Sequence, residues 1–288
     1  MEKASAPPTR FFKMAGSGND FILIDNRSGQ FDADRSRGLV KSACRRKFSV
    51  GADGLIFIEN DPEVDFKWRF FNADGSEAEM CGNGARCAAR FAHLNGIVSG
   101  TRMAFRTLAG IIRAEMRDNR VKVQMTTPHS LALDFCLDVE GRPFSMHFIN
   151  SGVPHAVTFV DDKAALEATD IFKVGRLLRY HSHFQPTGTN VNFVLVRDAH
   201  RMAIRTYERG VEDETLACGT GSIASALVAA ARGLVKSPVE MQTRSGECLT
   251  IYFDAKSGSA GVEFSEVFLE GDAKVVYEGQ LWNETLEQ

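Results

Sequence analysis

Short apolar runs bounded by glycine, asparagine and aspartate recur along the chain, and two alanine-rich stretches interrupt them. Phe21 to Asp25 (FILID) follows the tight-turn signal Gly16-Ser17-Gly18-Asn19-Asp20 and predicts a strand. Leu55 to Ile58 and Phe66 to Phe71 also predict strands, the second alternating Phe66, Trp68 and Phe70. Leu39, Val40 and Ala43 form an apolar stripe that predicts a helix over 34–46. The first alanine-rich stretch predicts a helix over 82–95, closed by Gly96 as a C-terminal cap. Residues 103–106, 111–116 and 121–125 predict a meander, and Thr126-Thr127-Pro128 marks a boundary. Beyond it, the pattern predicts strands over 144–149, 156–160, 193–196 and 202–207, helices over 171–180 and 219–232, and several strands up to Tyr277. Strands should outnumber helices by about two to one, and each half carries one helix apolar enough to be buried. The expected class is α+β: two pseudo-symmetric halves, each a curved, mostly antiparallel sheet wrapped around a central helix.

The two alanine-rich stretches duplicate one another. Met80-Cys81-Gly82-Asn83-Gly84 is matched by Ala217-Cys218-Gly219-Thr220-Gly221, and the spacing from Cys81 to Gly96 equals that from Cys218 to Gly233. Met202 to Tyr207 matches Phe66 to Phe71, and Gly188-Thr189-Asn190-Val191-Asn192 leading into Phe193 echoes Gly16-Ser17 leading into Phe21. One thiol per copy suggests two thiols facing each other across a pseudo-twofold axis. Each precedes a helix, where unpaired N–H groups and the helix dipole favour negative charge. A thiol there is expected below the usual ~8.5, and the glycines open the N–H groups to a carboxylate. Two adjacent thiols should share one proton, because like charges repel. One thiolate would then remove an α-hydrogen while the opposite thiol returns a proton to the other face, with no pyridoxal phosphate and no metal. Cys44, Cys87, Cys136 and Cys248 read as small buried apolar residues instead.

Composition narrows the class. The chain has 288 residues, 44% apolar and 25% charged, with net charge −3, an ordinary globular balance with no basic patch for nucleic acid. No apolar stretch approaches membrane-helix length. Residues 1–10 are polar with Pro7-Pro8 and read as a disordered tail, not a signal peptide, so a cytoplasmic location is expected. Six scattered cysteines without a CxxC pair argue against a disulfide scaffold or zinc site, and His181-x-His183 reads as a solvated loop.

Eight segments occur in order: Gly16-Ser-Gly-Asn-Asp-Phe21, Gly51-Ala-Asp-Gly54, Phe71-Asn-Ala-Asp-Gly-Ser76, Met80-Cys-Gly-Asn-Gly84, Pro154-His155, Gly188-Thr-Asn190, Glu208-Arg-Gly210 and Ala217-Cys-Gly-Thr-Gly221. Together they closely resemble the diaminopimelate epimerase family, over about residues 11 to 280. The resemblance implies that family's fold, with halves at 11–127 and 128–269 and strands of 270–288 returning to the first. It implies cofactor-independent conversion of LL- to meso-2,6-diaminopimelate in lysine and peptidoglycan precursor biosynthesis, by a homodimer. Carried across, Cys81 and Cys218 are the acid–base pair, assisted by His155 and Glu208. Gly82, Asn83, Gly219 and Thr220 donate to the reacting carboxylate. Asn19, Asn72, Asn190, Glu208 and Arg209 bind the distal amino-acid head, Arg209 by gripping its carboxylate and Glu208 by accepting from its ammonium. Competing readings are turn chemistry for Asn19 and Asn72, a surface pair for Glu208 and Arg209, and a structural histidine at 155. Val153 stands where many members have Asn, Gly54 where some have Gln, and Val211-Glu212-Asp213-Glu214 adds a loop residue.

Other functions compete with this reading. Proline and hydroxyproline racemases share the fold and two-thiol chemistry, but they resemble Met-Cys-Gly-His-Gly at the first cysteine, where this chain has Asn83. Their substrate also gives Glu208 and Arg209 no partner. A thiol redox switch and a non-catalytic binding duplicate are further alternatives.

Overall fold

The computed structural model describes residues 8–258, 261–282 and 284. The chain forms two compact units that divide at Val123/Gln124 and again at Glu270/Gly271. The first contains β1 (Thr9–Gly16), β2 (Asn19–Asp25), α1 (Ala33–Ala43), β3 (Gly54–Glu59), β4 (Phe66–Asn72), α2 (Gly82–Leu94), β5 (Arg102–Thr107), β6 (Gly110–Arg117) and β7 (Arg120–Gln124). The second contains β8 (His129–Val139), β9 (Arg142–Asn150), β10 (Pro154–Phe159), α3 (Lys163–Ala168), α4 (Ile171–Arg179), β11 (Asn190–Asp198), β12 (Arg201–Glu208), β13 (Asp213–Thr215), α5 (Gly219–Ala231), β14 (Val239–Gln242), β15 (Cys248–Gly258) and β16 (Gly261–Asp272). β17 (Lys274–Leu281) pairs with β1 and so belongs to the first unit. Of the tail expected over 1–10, residues 1–7 lie outside the described residues, whereas Thr9 and Arg10 pair with Leu281 and Gln280 in the sheet.

The units share one pairing scheme. In the first, β1–β2 is antiparallel, β2–β3 parallel, β3–β4 antiparallel, β4–β5 parallel, and β5–β6 and β6–β7 antiparallel. In the second, β9–β10, β10–β11, β11–β12, β12–β14, β14–β15 and β15–β16 repeat that order of directions. β17 flanks the first scheme and β8 the second. Antiparallel pairs dominate, as expected. Among the described residues, however, seventeen strands accompany five α-helices, well above the expected two to one.

Burial on both faces explains why the strands read as continuous apolar runs. Phe21 and Leu23 of β2 pack with Ala85, Ala88 and Ala89 of α2, while Ile22 and Ile24 pack with Leu39 and Val40 of α1. In the second unit, Val191, Phe193 and Leu195 of β11 pack with Ile171 and Leu178 of α4, and α5 covers the other face. α2 touches β1, β2, β3 and β6, and α5 touches β9 to β12, β14 and β15. Strands far apart in each sheet thus reach the same helix, which requires each sheet to bend around it. Both helices run thirteen residues and are followed by a glycine in the left-handed region, Gly96 at φ +64° and Gly233 at φ +74°.

Two expectations change. No strand was expected over 129–139, yet β8 forms there, with Leu131, Leu133, Phe135, Leu137 and Val139 at strict period two. That signal was present; its apolar side is only partly buried, and positive φ at Ser130 and Asp134 interrupts the register with β9. The echo between residues 188–196 and 16–24 also pairs the wrong strands. The pairing order makes β11 the counterpart of β3, and β10 that of β2. Glycine-led turns resemble one another locally, so a sequence echo could not tell these strands apart. The six-residue α3, capped by Asp162, was too short to predict.

Candidate active site

Cys81 and Cys218 are the N-cap residues of α2 and α5, and both have extended backbone. Each sulfur accepts a hydrogen bond from an N–H of the first turn, Gly84 N to Cys81 Sγ at 3.5 Å and Gly221 N to Cys218 Sγ at 3.4 Å. Gly82 and Gly219 open their helices, where N–H groups have no carbonyl partner within the helix. Cys81 is half-buried and Cys218 is buried. The expected lowering of the thiol does not hold at Cys218: burial pushes it up to about 12, the nearby Glu208 adds to this, and donors from Thr220 and Gly221 only partly offset it. Desolvation outweighs the helix end because the sulfur lies inside the fold. Cys44 and Cys87 are buried and also pushed up to about 12 by burial, which suits their reading as apolar packing residues. Cys136 and Cys248 are exposed, contrary to that reading.

The first unit joins several predicted residues in one network. Asn19 Nδ2 donates to Asp53 Oδ2 at 2.9 Å, and Asn83 Nδ2 donates to Asn19 Oδ1 at 2.8 Å. Asn83 Oδ1 accepts from Arg86 Nη2 at 2.8 Å, and the same nitrogen donates to Ser17 Oγ at 2.8 Å. Arg86 is fully buried. Neither Arg86 nor Asp53 was picked out from the sequence. The available signal was Arg86 inside an alanine-rich buried stripe, at the position that Ile223 fills in the second copy. Asn72 is exposed and donates to Ser76 Oγ at 3.0 Å within a tight turn, so the turn reading accounts for its contacts. At Gly54 a Cβ would stand 2.5 Å from the Phe71 carbonyl oxygen, so close strand packing excludes a side chain there.

The second unit surrounds Cys218 with polar groups. His155 is fully buried; its Nε2 lies 2.9 Å from Thr220 Oγ1, which lies 3.5 Å from Cys218 Sγ. Its Nδ1 lies 3.1 Å from Asn192 Nδ2, and Asn192 Oδ1 accepts from Thr206 Oγ1 at 3.0 Å. Burial, reinforced by Arg209, pushes the His155 imidazole down to about 3, so it is neutral at physiological pH. Asn190 is buried and committed to backbone, accepting from Arg209 N at 2.8 Å and donating to the Pro154 carbonyl at 3.0 Å. Glu208 ends β12, and burial raises its carboxyl. Arg209 Nη1 donates to the Thr187 carbonyl at 2.8 Å. Residues 209–212 form a turn with Glu212 at φ +59°, from which β13, with Asp213 and Glu214, pairs back onto β12. His181 Nδ1 accepts from His183 N at 3.2 Å, and His183 stacks on Phe135.

The two cysteine surroundings are chemically unequal. Register places Phe21 beside Gly54 in β2–β3, and His155 beside Asn190 in β10–β11. Ile56 then corresponds to Asn192, and their cross-strand partners Phe70 and Thr206 correspond as well. The helix glycines agree: a Cβ on Gly84 would meet Ile56 Cδ1 at 3.2 Å, and one on Gly221 would meet Asn192 Oδ1 at 2.5 Å. Apolar Phe21, Ile56 and Phe70 in one unit are thus replaced by His155, Asn192 and Thr206 in the other. Gly221→Ala is expected to lose about 1–3 kcal/mol through overpacking, more than Gly84→Ala, whose nearest neighbour is the movable end of an isoleucine. Urea unfolding of both variants checks the ranking; equal losses would count against the close approach.

The diaminopimelate epimerase family profile matches residues 11–131 and 147–276. A diaminopimelate epimerase of Aquifex aeolicus (strain VF5) is 50% identical, covering 96% of this chain and 99% of the relative. One of Hydrogenobaculum sp. (strain Y04AAS1) is 48% identical, covering 93% and 97%. Among solved structures, a PhzF-family phenazine biosynthesis protein of Bacillus anthracis superposes with TM-score 0.69 at 15% identity, over 96% of this chain and 99% of that one. A hydroxyproline epimerase of Agrobacterium vitis gives TM-score 0.67 at 16% identity, over 95% and 92%. These structural likenesses establish the two-unit α+β fold. The profile and the full-length identities show that this chain belongs to the diaminopimelate epimerase family of isomerases.

Proposed function

We propose that this protein epimerises LL-2,6-diaminopimelate to the meso isomer with Cys81 and Cys218 as its acid–base pair, without a cofactor. The observation that carries this reading is the matched placement of two thiols as N-caps of equivalent helices in two equivalent units. For one direction of the reaction, Cys81 is the thiolate base and Cys218 the thiol acid. Cys81 takes the α-hydrogen, the electron pair stays on the α-carbon and its carboxylate, and Cys218 delivers its proton to the opposite face. Cys81 is then the thiol and Cys218 the thiolate, the arrangement needed for the reverse reaction. N–H groups at the two helix starts stabilise the charge that develops on the carboxylate. Asn83 and Thr220 shape those helix starts, and Asn19 orients Asn83. Arg209 and Glu208 recognise the distal head, with Asn190 holding the Arg209 backbone and Asn72 a further polar contact of that head. The reading includes a homodimer, a cytoplasmic location, and a place in lysine and peptidoglycan precursor biosynthesis. Light scattering tests the dimer.

The test is incubation of the reduced protein with LL-diaminopimelate in D₂O. Meso product carrying one deuterium at the inverted centre supports the reading. No exchange from folded protein, with exchange on proline or hydroxyproline, replaces it with the racemase alternative. Within this scheme Arg209→Ala is expected to raise KM by about 10–100-fold, the loss of a charged hydrogen bond to the distal carboxylate, while kcat changes less. Unchanged KM and kcat would remove Arg209 from the site.

A further inference from the structure

The polar residues beneath Cys218 form a directed chain, and its direction is set at Asn192. Asn192 Nδ2 lies 2.9 Å from the Ala156 carbonyl oxygen, which can only accept, so that atom must be the amide nitrogen. The opposite side of the amide, Oδ1, accepts from Thr206 Oγ1 at 3.0 Å. The same Nδ2 lies 3.1 Å from His155 Nδ1 and donates its second hydrogen there. His155 Nδ1 is therefore the unprotonated nitrogen, and the neutral ring carries its proton on Nε2. Nε2–H then donates across 2.9 Å to Thr220 Oγ1, which leaves the threonine hydroxyl hydrogen for Cys218 Sγ at 3.5 Å. Every group in this relay is buried or half-buried.

We infer that Asn192 is a positioning residue that fixes the His155 tautomer, so that His155 and Thr220 donate toward Cys218 and stabilise the thiolate left after it gives up its proton. The inference rests on the two-thiol reading above. Its physical content is asymmetry: Ile56, not an amide, occupies the equivalent position beneath Cys81, so the Asn192–His155 pairing is not repeated there. Cys218 needs it more, because burial makes its thiolate costly unless hydrogen bonds compensate.

The test has a spectroscopic arm and a chemical arm. In ¹⁵N-histidine-labelled wild-type protein, long-range ¹H–¹⁵N correlation should show neutral His155 protonated on Nε2. A proton on Nδ1 overturns the inference whether or not the protein turns over diaminopimelate. Asn192→Asp places an acceptor against Nδ1, so His155 should move its proton to Nδ1 and turn Nε2 toward the Thr220 hydroxyl hydrogen. Iodoacetamide labelling of Cys218, resolved from the other cysteines by peptide mass, should then slow several-fold at fixed pH. kcat should fall at least about tenfold with little change in KM. A folded Asn192→Asp protein with the wild-type His155 signature, or with unchanged Cys218 labelling, also overturns it. If that variant does not fold, the wild-type spectrum decides alone. If wild-type protein is inactive on diaminopimelate yet passes both arms, the two-thiol substrate reading fails and the tautomer assignment stands.

Discussion

Cys81→Ala and Cys218→Ala are each expected to reduce diaminopimelate epimerisation by at least about 10³-fold, while urea unfolding stays close to wild type. The expected loss is similar for the two because each turnover needs one sulfur to take a proton and the other to give one. Folding should survive because each substitution removes a single sulfur atom, which caps its helix through a long N–H···S contact, of 3.5 Å at Cys81 and 3.4 Å at Cys218. The caps are weaker than an oxygen cap, so the stability change should be within about 1 kcal/mol. The measurement is steady-state epimerisation with α-hydrogen exchange in D₂O. Full inversion by either single variant would overturn the two-base mechanism. Loss in one variant only would assign the chemistry to a single thiol, and a redox or binding role to the other.

The second large effect is acid lability from His155. Its imidazole is held neutral by burial, down to about 3, against an unfolded value of 6.5. The sign follows from proton counting. Between those two values the unfolded chain binds a proton that the folded chain does not, so stability falls as pH drops through 6.5 and continues falling toward 3. The slope is at most about 1.4 kcal/mol per pH unit, which gives a loss of roughly 2 kcal/mol between pH 7 and pH 5. His147 is also buried and lowered, by desolvation first and Arg232 second, and it contributes with the same sign. Comparison with His155→Gln isolates the one residue, since His147 is unchanged. Wild type should lose more of its urea midpoint from pH 7 to pH 5 than the variant. Parallel losses would mean that His155 is not a buried neutral ring.

Local signals carried much of the fold and part of the candidate site. The two thiols, their glycines and the left-handed caps at Gly96 and Gly233 lie within single helices, where spacing fixes geometry. Continuous runs such as Phe21 to Ile24 identified doubly covered strands, and Met202 to Tyr207 was matched correctly with Phe66 to Phe71. The period-two pattern of β8 is equally present in the sequence, on a strand whose apolar side is only partly buried.

Tertiary structure decided what depends on register between distant strands. His155 meets Asn192 only because β10 lies parallel to β11, and nothing near either residue in the sequence states that pairing. The same register set Phe21, Ile56 and Phe70 against His155, Asn192 and Thr206, making two nearly identical cysteine motifs chemically different. Arg86, buried on α2, reaches Ser17 across 69 residues of sequence. Burial itself reversed the expected shift at Cys218, because desolvation depends on everything packed around a sulfur and not on the helix that it caps. The sequence by itself determined which atoms are available for the chemistry; the tertiary structure decided which of them is buried, which is aimed, and in which direction its hydrogen bonds run.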